Sequence, residues 1–152
     1  MKCCVPFLLA AGMITLTGCS NPMTGVQANE FRLNIDLDLE KPIFELDYHA
    51  AQDSGGVTGG MRNADYSLMD GHEDMIWDLT LSDLNLPEDT KQPVDVTFEF
   101  SVLPEDPQNN PPEEAGAVPV TPPLTLSVEN GKEYNLKLTC TKEMACTIEE
   151  IQ

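Results

Sequence analysis

Positive charge is scarce in this chain. Eight Lys and Arg stand against 26 Asp and Glu in 152 residues, a formal charge of −18. Proteins that hold a phosphate backbone do so with clustered Lys and Arg, and a strongly anionic chain is repelled by anionic lipid surfaces. The balance therefore argues against nucleic acid as a partner. Aromatic residues make up only 6% of the chain. After the first twenty residues no apolar run approaches the roughly 20 residues a membrane-spanning helix needs, and no helical spacing of apolar residues occurs there. With two His and no C-x-x-C, the chain offers little for a zinc or dithiol redox centre. Neither a Gly-rich phosphate cradle nor a paired acid–base set stands out.

What is present begins at the N-terminus. Met1-Lys2 supplies one positive side chain, Val5 to Thr17 forms a short apolar stretch, and Leu16-Thr17-Gly18-Cys19 follows. A basic start, a short apolar core and small residues at a cut site are the parts of a secretory signal. Leu16-Thr17-Gly18-Cys19 resembles the lipobox of bacterial lipoproteins, and the resemblance is confined to this segment. It implies cleavage before Cys19, a diacylglyceryl group on its sulfur and acylation of the new amine. Two or more acyl chains give stable anchoring where one gives only marginal binding. Ser20 after the cysteine implies, in the same family, an outer-membrane address in a Gram-negative envelope. On this reading residues 1–18 are signal, 19–30 a flexible tether containing Pro22 and Gly25, and 31–152 the folded domain. The part after the cut keeps seven bases and all 26 acids, a formal charge of −19.

Five cysteines divide accordingly. Cys3 and Cys4 leave with the signal, Cys19 takes lipid, and Cys140 and Cys146 remain. Two thiols in an exported domain are expected to form a disulfide. Their closeness in sequence limits the loop entropy removed, so the bond is expected to stabilise by about 2 kcal/mol or less.

Period-two alternation dominates the rest, the signature of strands with one buried face. Phe31, Leu33, Ile35, Leu37 and Leu39 alternate with Arg32, Asn34, Asp36, Asp38 and Glu40. Further strands are expected at Phe44–His49, at Met75–Leu81 continuing through Leu84 and Leu86 after a bulge at Ser82-Asp83, at Val94–Val102, at Leu124–Val128, at Tyr134–Cys140 and from Cys146 onward. Asn130-Gly131 is the strongest hairpin signal, since both residues tolerate positive φ. Residues 51–73, with Gly55-Gly56 and Gly59-Gly60, read as one long loop, and 103–123, holding seven prolines, as another. About seven strands of this kind imply an all-β, antiparallel sandwich, immunoglobulin-like in strand count. The local spacing of the Cys pair does not match the inter-sheet disulfide of true immunoglobulin domains.

Three constellations carry candidate chemistry. Asp65, Asp70, Glu73 and Asp74 offer hard oxygens that would suit Ca²⁺, with Asp36 and Asp38 nearby, although their spacing is not that of an EF-hand. Met69 and His72, with Met61 and Met75, offer the soft thioether and imidazole donors that suit Cu⁺. Gln52-Asp53-Ser54-Gly55-Gly56 resembles the segment around the nucleophile of chymotrypsin-like serine proteases, which would pair Ser54 with His49. That family needs a two-barrel body for which this chain has no room. Tyr66, in the Gly-rich segment, is the one aromatic expected to be free for a sugar contact, since Tyr48, Trp77 and Tyr134 fall on apolar faces. The expectation that emerges is a lipid-anchored, non-enzymatic binding or structural module of the cell envelope. It is joined to membrane by its N-terminal lipid and engages an envelope protein partner. A metal-binding lipoprotein using residues 61–75 is the alternative.

Overall fold

Alternation in sequence becomes strand, and its apolar half becomes a shared interior. The computed structural model describes residues 25–52, 55–71, 74–106 and 116–152. Nine strands lie within them: β1 (Phe31–Leu39), β2 (Glu45–Gln52), β3 (Gly55–Met61), β4 (Asp74–Leu79), β5 (Val94–Leu103), β6 (Val118–Pro119), β7 (Leu124–Val128), β8 (Glu133–Cys140) and β9 (Cys146–Ile151). They form two sheets. One has the order β4-β1-β8-β9, and the other runs β3-β2-β5, with β6 and β7 both pairing with β5.

The sheets pack as a β-sandwich. Phe31, Leu33, Ile35 and Leu37 of β1 are almost fully buried, as are Leu136 and Leu138 of β8. From the other sheet, Leu46 and Ala50 of β2 and Val96, Phe98, Phe100 and Val102 of β5 are buried in the same core. Each large apolar side chain removed from water in this way contributes about 1.5–3 kcal/mol. Aromatic rings join the layers: Trp77 of β4 lies 5.0 Å from Tyr48 of β2 and stacks on Phe100 of β5 at 6.2 Å. Offset and edge-on pairs of this kind add to their area burial because ring edges and faces carry opposite partial charge. The polar half of β1 faces water. There Arg32 donates two hydrogen bonds to Asp78, at 2.6 and 2.9 Å, and Lys137 pairs with Asp38 at 2.8 Å.

Several expectations need correction. Residues 51–73 are not one loop, because β2 runs to Gln52 and Gly55–Met61 is a strand paired with β2 through seven residue pairs. Glycines hide its alternation: Val57, Gly59 and Met61 are half-buried while Gly56, Thr58 and Gly60 are exposed. Within 103–123, Val118–Pro119 forms β6, and Val120 bridges to Cys146 of the opposite sheet. Pro119 is tolerated there because β6 is an edge. Ser82–Leu84 is a 3-10 turn rather than a bulge. Asp83 accepts from the Thr80 amide at 2.8 Å, and Thr80 Oγ1 accepts from the Asp83 amide at 3.1 Å. This reciprocal arrangement closes the turn as a capping box does, and it buries Leu84.

Asn130-Gly131 does make a tight turn, closed by the Lys132 amide donating to Glu129 O at 3.3 Å, with Gly131 at φ +80°. It is not a hairpin turn. Positive φ only at the second central position is the type II pattern, and the turn carries the chain from β7 in one sheet to β8 in the other. The four-stranded sheet is mixed, since β1 and β8 run parallel from Arg32↔Glu133 to Leu39↔Cys140. The first strand thus lies beside the penultimate one, an order that differs from the all-antiparallel ABED-against-CFG immunoglobulin arrangement. Parallel neighbours need a crossover, which here is the whole chain from β2 to β7. The β8–β9 hairpin places Cys140 opposite Cys146, and the two form a disulfide with Cα atoms 4.2 Å apart.

Candidate functional site

Among the described residues the expected ligand loop does not gather its candidates. Met69 is buried at 2% exposure, paired with Ile43, and Met75 faces the core from β4. A thioether inside a packed apolar core is not presented to an ion, so Met69 is removed as a Cu⁺ ligand. Asp65 is engaged locally: its Oδ1 accepts from the Ser67 hydroxyl at 2.6 Å and the Ser67 amide at 3.0 Å. These bonds hold its carboxyl below the usual carboxylate range. Asp70 lies at the end of this loop, and Asp74 is exposed at the start of β4, directly opposite Asp36. Among the described residues no three of His, Cys, Asp and Glu are grouped as a metal would require. His72 and Glu73 lie outside the described residues, as do Asp53, Ser54 and Cys19. Tyr66 is 54% exposed, as expected, with the Arg62 guanidinium 4.7 Å over its ring. Tyr48, Trp77 and Tyr134 are in the core.

The structure assembles a different surface, on the outer face of the five-stranded sheet. β2 sends Glu45, Asp47 and His49 outward, β5 sends Glu99 and Ser101, and Thr58 stands on β3. Asp47 is flanked by Gly60 on one side and Ser101 on the other, and His49 by Thr58 and Glu99. Asp47, His49, Thr58, Glu99 and Ser101 line a depression of about 490 Å³ together with Gly59 and Gly60, and Glu45 stands beside it.

Its shape comes from glycine. On most strands a side chain separates the neighbouring strand's side chains from the edge. Here a Cβ at Gly60 would collide with Asp47 Oδ1 and approach Glu45 Oε1 to 2.8 Å. A Cβ at Gly56 would collide with the His49 ring, and one at Gly59 would come within 2.6 Å of the Tyr48 ring. On the outer face Asp47 and His49 therefore fold over β3 into space that only glycine leaves open, and Tyr48 does the same over Gly59 on the inner face.

The carboxyls of Glu45 and Asp47 share one strand face two residues apart. Partial burial, the charge of Glu45 and a hydrogen bond with it raise Asp47 from its ordinary value near 3.8 to about 6, with Arg62 opposing. Two carboxylates this close resist ionising together. Arg62 Nη1 lies 3.6 Å from Glu45 Oε2, so a guanidinium already partners this pair from one end. The arrangement suits recognition of cationic and hydrogen-bonding groups on a shallow face. Sequence reading missed it because glycine pairs signal loops and because Glu45 and Asp47 look like any solvated strand face. The available signal was continued period-two spacing through Val57, Gly59 and Met61.

The chain matches no family model, no curated protein and no solved structure. Among the described residues, no helix is long and apolar enough to cross a membrane.

Proposed function

We propose that this chain is a lipid-anchored module of a bacterial cell envelope that acts by binding a partner rather than by catalysis. One observation carries the reading: Leu16-Thr17-Gly18-Cys19 directly follows a short apolar run at the N-terminus, the arrangement that secretory signals use. The Cys140–Cys146 disulfide supports it, because such bonds persist in exported proteins and are rare where thiols are kept reduced. The two lipid-side and domain-side features divide the work: acyl chains hold the module at a surface, and the sandwich presents its sheet faces and edges.

Intact-mass analysis of protein extracted from membranes tests the anchor. The expected species begins at Cys19 and carries acyl mass on it, and Cys19→Ala is expected to move the protein out of the membrane fraction. A species that retains Met1, or a free thiol at position 19, would overturn the reading.

A further inference from the structure

A strand at the margin of a sheet has unpaired backbone groups that invite another strand, and natural proteins guard such margins with charges, prolines, bulges or cover. The sandwich has four margins. β4 carries Asp74 and Asp78. β9 carries Glu149 and Glu150, and its Cys146 end is bridged by Val120. The margin formed by β6 and β7 is interrupted by Pro119, Pro122 and Pro123. β3, Gly-Gly-Val-Thr-Gly-Gly-Met, has no charge and no proline, and it pairs with β2 in unbroken register. Among the described residues no segment pairs with its far side.

Charge decides what fits there. A strand added beside β3 would sit about 4.8 Å away. A side chain of that strand facing Gly60 would meet no β3 side chain; it would meet the carboxylates of Asp47 and Glu45, which already occupy the space above Gly60. Arg62, the residue after β3, shows the chemistry in place, with its guanidinium against Glu45. A second copy of this chain is the poorer occupant, since edge-to-edge pairing would bring two such carboxylate pairs and two chains of charge −18 together.

We propose that β3 is a docking edge for an extended cationic peptide segment of a protein partner, added as a further strand and read by Asp47 and Glu45 across the glycines. Main-chain hydrogen bonds would supply affinity and the alternate Lys or Arg side chains the selectivity, as in other strand-addition modes. The inference deepens the binding-module reading and rests on it, but not on the lipid: mass and partitioning test the anchor, and peptide binding tests the edge.

The experiment uses the full chain and three labelled, capped peptides: a Thr-Lys repeat, the same repeat with alternate amides N-methylated, and a Thr-Glu repeat. Fluorescence anisotropy measures affinity, and hydrogen exchange locates the contact. The Thr-Lys peptide is expected to bind at least about tenfold more tightly than either other peptide, and to slow exchange of the amides in 55–61. Asp47→Asn with Glu45→Gln is expected to weaken it by about tenfold, since rim charges of this kind set selectivity. Equal binding of the N-methylated peptide would mean attraction to a general anionic surface and would overturn the proposal. So would equal binding of the Thr-Glu peptide, the absence of binding at about 1 mM, or protection elsewhere than β3. A concentration-dependent dimer that protects 55–61 without peptide would assign the edge to a second copy instead.

Discussion

Replacing Asp47 by Asn tests the electrostatics of the β2–β3 face directly. Burial and the neighbouring Glu45 raise the Asp47 carboxyl from 3.8 to about 6. The native state therefore holds a proton that the unfolded chain has released across that interval. Stability gained from this proton grows as pH falls through about 6 and is complete below about 3.8; above 6 the ionised group is a net cost of folding. A shift of this size corresponds to at most about 3 kcal/mol. Asp47 is only partly buried, and water and salt screen its repulsion, so about 1 kcal/mol is the reasonable share. Asn has the same shape, cannot ionise and can donate to Glu45. Asp47→Asn is thus expected to stabilise the domain by about 1 kcal/mol at pH 8 and by less at pH 5, where part of the native population keeps its proton. Urea unfolding of both proteins at the two pH values measures this, with the slope m unchanged and the midpoint raised. The difference between proteins matters, because the other carboxylates change the stability of both together. An equal effect at pH 5 and pH 8, or a loss of stability at pH 8, would refute the reasoning.

Further outcomes follow from packing and covalent closure. Gly59→Ala puts a methyl group within 2.6 Å of the Tyr48 ring, itself wedged against Trp77 and Phe98; a loss of about 1–3 kcal/mol in denaturant unfolding is expected. Reduction of Cys140–Cys146, a small loop joining strands already paired, is expected to cost about 2 kcal/mol or less and to leave the far-ultraviolet circular dichroism of the sheet intact. Trp77, the one Trp in the chain and 7% exposed, should emit as a buried indole. Trp77→Ala should cost about 3–5 kcal/mol by opening a cavity between the sheets.

Where side chains carry the pattern, the fold could be read before the structure. Phe31, Leu33, Ile35 and Leu37 alternate and are the buried side of β1; Val96, Phe98, Phe100 and Val102 do the same for β5. The Cys140–Cys146 bond was legible for a related reason, since strands that turn back over five residues bring their ends together. Failures have equally local causes. β3 has too few side chains to show a period, so its glycines read as loop. Thr80-x-x-Asp83 carries a capping pattern, but the apolar Leu84 and Leu86 after it read as more strand. Asn130-Gly131 was correctly a tight turn, yet nothing in a turn says which sheet receives the next strand. The parallel pairing of β1 with β8 joins residues about a hundred positions apart, and such pairing depends on the whole crossover rather than on any local signal.

The candidate site poses a sharper version of the same problem. β1 and β2 both present acidic residues two apart on an outer face, Asp36 and Asp38 in one and Glu45 and Asp47 in the other. In sequence the two pairs are interchangeable. Their cross-strand neighbours make them different. Asp38 receives Lys137 at 2.8 Å from the adjacent β8, which satisfies the charge within the sheet. Asp47 has Gly60 beside it, which brings no side chain at all, and Glu45 two residues away, which brings more negative charge. Lys137 thereby neutralises part of one pair in the middle of a sheet, while the other pair, met by Arg62 only at its Glu45 end, projects over a strand with no charged or proline residue of its own. Selectivity for a cationic strand would arise from that difference in neighbours, so Gly60 matters to it as much as Asp47 does. Filling the glycine position with a small neutral side chain should weaken discrimination between cationic and acidic peptides, even with both carboxylates retained.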